Sequence, residues 1–229
     1  MPQNLPPNLQ PPLTYLITNG QTRVTTTPSS KEFAHLLTLI EAAVAARISL
    51  IQVREKDLSA RVVYELALSA AAITRNSSTR LLINDRADIA VAAGADGVHL
   101  TTRSLEASVV RERFGADLLI GVSTHSLAEA RQARASGADF VVFGPVWETV
   151  SKQIFGDPLR LDKLMEVARD LEPLPVLALG GVTSENAREC LEAGAAGIAG
   201  ISLFSQADEL ASIVRLIRGG EVSSIDFSL

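Results

Sequence analysis

The chain of 229 residues has one cysteine, Cys190, so it can build neither an intramolecular disulfide framework nor a thiolate metal cluster. A reducing cytoplasm is the expected setting. It lacks any run of Lys and Arg, and its formal net charge is -5, which argues against nucleic acid or an anionic membrane as a partner. Any anion must then be held by a few cations gathered locally. No segment offers the roughly 18 uninterrupted apolar residues of a membrane span. The opening MPQNLPPNLQPP lacks the basic and apolar regions of a secretory signal.

What is present is 47% hydrophobic and 21% charged, enough for one substantial core. The reading is a single α/β domain over 13–218, between a Pro-rich tail at 1–12 and a C-terminal tail at 219–229. Three phrases repeat: AVAAGADGVHL, QARASGADFVVFG and CLEAGAAGIAGIS. Each reads as a helix end, a glycine just past it, and a short apolar strand. Apolar runs at 13–18, 48–53, 80–84, 97–100, 118–122, 139–144, 175–179 and 197–201 give eight strands. Stretches such as SKEFAHLLTLIEAAVAA and SARVVYELALSAAAITR carry apolar residues at helical spacing between them. Eight such alternations predict a (β/α)8 TIM barrel, whose chemistry sits at the C-terminal strand ends.

In QVREK, strand alternation sends Gln52, Arg54 and Lys56 to one face and Val53 and Glu55 to the other. Two cations and an amide would clamp a phosphate or pyrophosphate, Arg by a forked contact and Lys as a point charge. The plainer alternative is a solvated strand end with local ion pairs. The third strand closes on Asn84 and Asp85, oxygen donors suited to Mg²⁺; Asp85 could instead cap the following helix. His99, within the fourth strand, reads as a satisfied core residue and His35 as a structural helix residue. The loop after the fourth strand, TTRS, holds no carboxylate before Glu106.

In GVSTHSLAEA, Ser126 and Glu129 read as helix capping, leaving Ser123 and His125 beside the strand end, where an imidazole of near-neutral pKa suits proton transfer. The long loop FGPVWETVSKQIFGDP brings Thr149, Ser151 and Lys152, with Trp147 open to a packing role. After the last two strands, Gly180, Gly181, Gly200 and the Ser202 backbone suit a phosphate cup, unless the glycines serve turn geometry alone. Two anion sites on one mouth imply a bisphosphate or two phosphorylated partners.

Taken together, YLIT, QVREK, INDRADIA, GADGVHL, GVSTHS, GADFVVFGPV, TVSK and ALGGVTSEN resemble the thiamine phosphate synthase/TenI superfamily, from Leu13 to about Phe204. The resemblance implies a synthase that joins hydroxymethylpyrimidine diphosphate to a thiazole phosphate and releases pyrophosphate with Mg²⁺. It gives Gln52, Arg54, Lys56 and Asn84 to the pyrimidine diphosphate, and Asp85 to the metal. Ser123, Thr149, Ser151 and Lys152 fall where the substrates meet, and Gly181, Ile201 and Ser202 around the thiazole phosphate. Synthases of this type carry an acidic ligand in a GQxD-like loop, where this chain has Ser104; a hydroxyl binds Mg²⁺ far less well than a carboxylate. That departure resembles TenI-type thiazole tautomerases, in which His125 would move the proton and no Mg²⁺ would be needed. A thiazole-phosphate binder without turnover is the reading from outside enzymology. Homo-oligomers are left open.

Overall fold

The computed structural model describes residues 6, 9–148 and 158–219. Within them eight parallel strands close into a barrel in sequence order. The strands are β1 (Leu13–Ile17), β2 (Leu50–Val53), β3 (Arg80–Asn84), β4 (Gly97–Leu100), β5 (Leu119–Thr124), β6 (Phe140–Phe143), β7 (Val176–Ala178) and β8 (Gly197–Gly200). The helices that follow them are α1 (Lys31–Ala45), α2 (Ala60–Thr74), α3 (Ala87–Ala93), α4 (Ala107–Phe114), α5 (Leu127–Ala135), α6 (Arg160–Leu171), α7 (Ala187–Glu192) and α8 (Leu210–Ile217). The expected barrel is present, and each observed strand begins within two residues of its expected start.

The repeated glycines do the work expected of them. Gly94, Gly137 and Gly194 follow α3, α5 and α7 with φ of 70°, 88° and 95°, the left-handed turn that stops a helix without a Cβ penalty. Helix starts are also set locally: the Ser59 side chain accepts from the Val62 N–H, and Ser126 from that of Glu129.

Alternation along each strand splits the apolar residues into two cores. Outward residues such as Ile51, Val53, Ile83, Val98 and Val141 pack beneath the helices, whereas Tyr15, Leu50, Leu82, Leu119, Phe140 and Leu177 fill the barrel interior. His99 joins the interior set, its ring 5.6 Å from that of Tyr15 and 6.1 Å from that of Phe140. His99 is thus a buried barrel residue, as its place in the strand suggested. Gly121, opposite His99 on β5, makes room for them: a Cβ there would lie 2.3 Å from Phe140 Cζ and 2.8 Å from His99 Nδ1. The floor of the mouth is therefore a solid plug. Among the described residues no helix is long and apolar enough to cross a membrane.

Candidate active site

The mouth is built by the segments that leave the C-terminal ends of the strands. On β2, Gln52 points into the barrel and Val53 beneath the helices, as alternation requires. Gln52 Nε2 donates to Asn84 Oδ1 at 3.0 Å, tying the ends of β2 and β3 together. Glu55, sent to the other face, accepts from the Thr22 hydroxyl at 2.6 Å and from the N–H of Gly20 at 3.3 Å. It fastens the segment after β1 beside the clamp, a role invisible in QVREK because its partners lie 33 to 35 residues away.

Arg54 and Lys56 form no ion pair with a described carboxylate, so the local ion pairs of the plainer reading are not seen there, and Lys56 is exposed. Arg54 holds the Lys56 ammonium below its ordinary pKa; partial burial and Arg103 push the same way, and Asp85 pulls back. Arg103 thus joins Arg54 and Lys56 in one electropositive zone. Nothing in TTRS marks Arg103 for this zone, since that loop stands out only for the carboxylate it lacks.

Asp85 has φ of 59° and receives its backbone bond from β4, the N–H donating to the His99 carbonyl at 2.9 Å. It does not cap α3: the cap position is Arg86, with no side-chain cap bond. The capping alternative for Asp85 is thereby corrected. Its carboxylate takes no hydrogen bond from a described residue and is near enough to the Lys56 ammonium to pull that group's pKa up. Ser104 is otherwise engaged: its Oγ accepts from the Thr101 N–H at 2.8 Å and lies 3.0 Å from Thr101 Oγ1. The hydroxyl closes its own turn. Among the described residues no three His, Cys, Asp or Glu side chains gather as a metal site, so a divalent cation here would have the one carboxylate of Asp85 and would need its other ligands from water and substrate oxygens.

On β5, Ser123 is half-buried and lies 2.8 Å from His99 Nε2. His125 follows, its Nδ1–H donating to the Gly144 carbonyl and its backbone N–H to Glu129 at 2.6 Å. The imidazole thus anchors the segment after β6, a function its position alone did not disclose. Trp147 is partly buried against the core, so packing accounts for it. Thr149, Ser151 and Lys152 lie outside the described residues.

Across the mouth, Gly180 and Gly181 have φ of 94° and 64°. A Cβ on Gly181 would sit 2.4 Å from the Glu148 carbonyl oxygen, so turn geometry and close packing both demand glycine. Among the described residues, the N–H groups of Gly181, Ile201 and Ser202 find no backbone acceptor, leaving three donors at the ends of β7 and β8. Such a nest of amides suits a phosphate. Cations thus gather at the ends of β2 and β4, unengaged amides at the ends of β7 and β8, and Ser123 stands at the end of β5.

A family model described as thiamine monophosphate synthase matches residues 15–204. A relative from Geobacter sulfurreducens is 49% identical over 167 residues, covering 73% of this chain and 78% of that protein. The thiamine-phosphate synthase of Chloroflexus aurantiacus is 38% identical over 79% of this chain and 82% of its own length. Among solved structures, the thiamine phosphate pyrophosphorylase from Pyrococcus furiosus matches with a TM-score of 0.72 at 29% identity, covering 92% of this chain and 97% of that one.

Proposed function

The chain belongs to the thiamine monophosphate synthase family, and we propose that its single barrel mouth joins hydroxymethylpyrimidine diphosphate to a thiazole phosphate, releasing pyrophosphate. It is a transferase of thiamin biosynthesis; its relatives are named synthases, which decides against the tautomerase alternative. The observation that carries the detailed reading is a pair of cations, Arg54 and Lys56, unpaired by any described carboxylate and set in the same mouth as three unengaged amides.

In this reading Gln52 and Asn84 orient the pyrimidine while Arg54, Lys56 and Arg103 hold its diphosphate. The bond between the methylene carbon and the diphosphate oxygen breaks, its electron pair leaving with pyrophosphate. The thiazole nitrogen then forms the new bond to the methylene carbon. Charge grows on the departing oxygens, and cations fixed beforehand stabilise it without reorganising. Gly181, Ile201 and Ser202 hold the thiazole phosphate through backbone N–H groups, and Thr149, Ser151 and Lys152 are assigned to the meeting point of the substrates. Asp85 would hold Mg²⁺, whose chemistry when bound is to neutralise part of the diphosphate charge. Because the nucleophile carries no proton, no general base is needed, so His125 serves position and not proton transfer. The lone buried Cys190 supports a reducing, cytoplasmic setting.

The test is to incubate the purified chain with both substrates and Mg²⁺ and follow thiamin phosphate by fluorescence after oxidation. Product formation that is lost in Arg54→Ala and Lys56→Ala supports the reading. Isomerisation of a thiazole phosphate without consumption of the pyrimidine diphosphate would contradict it.

A further inference from the structure

Beneath the mouth runs a chain of polar contacts that ends on Ser123 and whose buried members, Tyr15 and His99, the proposed reaction leaves without a role. Tyr15 Oη on β1 lies 3.1 Å from His99 Nδ1 on β4, and His99 Nε2 lies 2.8 Å from Ser123 Oγ on β5. Tyr15 is fully buried and His99 is 2% exposed. Both rings are buried with only uncharged hydrogen-bond partners, a setting that disfavours a charge on either.

A neutral imidazole has one donor and one acceptor, so the tautomer can be argued from hydrogen-bond accounting. Among the described residues, Tyr15 Oη has His99 Nδ1 as its one partner. If Nδ1 carried the proton, it would donate to the phenol and leave the buried phenolic O–H with no acceptor, stripped of water without replacement. With the proton on Nε2, Tyr15 donates to Nδ1 and Nε2–H donates to Ser123 Oγ, and every buried donor is accepted. The ring cannot turn away, since Phe140 and the missing side chain of Gly121 shape its slot.

We infer that Tyr15 and His99 are positioning residues, a fixed donor relay that occupies one lone pair of Ser123 Oγ and so presents the Ser123 hydroxyl proton to a hydrogen-bond acceptor of the substrate. His99 is then not the base of a nucleophilic serine: its accepting nitrogen is already filled by Tyr15. Ser123 acts as an oriented donor at the end of β5. This rests on the reading of Ser123 as a side chain that contacts substrate.

Two measurements test it. In ¹⁵N-histidine NMR of the wild-type chain, His99 should be neutral at pH 7 with its proton on Nε2. In kinetics, Ser123→Ala and His99→Leu should each lower kcat by about tenfold, the value of one hydrogen bond made in the transition state. The double variant should be no slower than Ser123→Ala, and Tyr15→Phe should fall between wild type and His99→Leu. His99→Gln, whose amide can donate to Ser123 and accept from Tyr15, should recover most of the loss. A proton on Nδ1 would overturn the inference, as would losses that multiply in the double variant or a folded His99→Gln as slow as His99→Leu. If the wild type makes no thiamin phosphate at all, the synthase reading fails, and the NMR tautomer alone decides the relay.

Discussion

Ser104 is the residue at which this chain departs most plainly from the pattern it resembles. Its hydroxyl accepts from the Thr101 N–H, so the side chain is spent on a turn and not on an ion. An aspartate there could accept the same N–H and still offer a second oxygen. Ser104→Asp should therefore keep the fold and lower the Mg²⁺ concentration needed for half-maximal turnover by roughly tenfold, about 1.4 kcal/mol of metal binding; an unchanged Mg²⁺ dependence would remove Ser104 from the account. Lys56 sets a pH dependence. In the proposed reading its charged form holds the diphosphate, and Arg54 lowers its pKa from 10.5. Affinity for inorganic pyrophosphate should be full below that lowered value and fall as pH rises through it, at lower pH than for an ordinary lysine. Without ligand the same shift slightly destabilises the fold at neutral pH, and that penalty disappears as pH rises toward the unfolded value. Lys56→Arg, charged throughout, should carry pyrophosphate binding to higher pH, and isothermal titration at two alkaline pH values would check it.

At the scale of elements, alternation made much of the site legible. Gln52 pairs with Leu82 and faces Asn84, two residues on, because residues two apart share a strand face, so the shared side of Gln52 and Asn84 could be read from alternation. Contacts of long sequence range were not legible: Glu55 holding Thr22, and His125 holding Gly144, join loops that only barrel closure brings together. Gly121 shows the same limit. Nothing in GVSTHS marks its glycine as structural, yet the rings of His99 and Phe140 occupy the space of its Cβ. Gly121→Ala should destabilise the chain by about 1–3 kcal/mol through overpacking. A lower urea midpoint with an unchanged slope would confirm this, and an unchanged midpoint would show that β5 gives way freely.

For the whole molecule, the barrel was legible because its signal repeats: three copies of a helix, a left-handed glycine and a strand fixed the alternation. Chemistry was legible to the extent that residue types cluster at strand ends, and the tautomer of one buried histidine was not, because it depends on partners from two other strands. One mouth with two separate anion sites is the central claim, and a matched pair of steady-state titrations tests it most directly. Lys56→Ala should raise the KM for the pyrimidine diphosphate by at least about tenfold, the worth of one charged hydrogen bond, and leave that for the thiazole phosphate within about twofold. Ser202→Asp, which places a negative charge on the cup, should do the reverse. Both variants raising the same KM, or neither changing its own, would contradict the account.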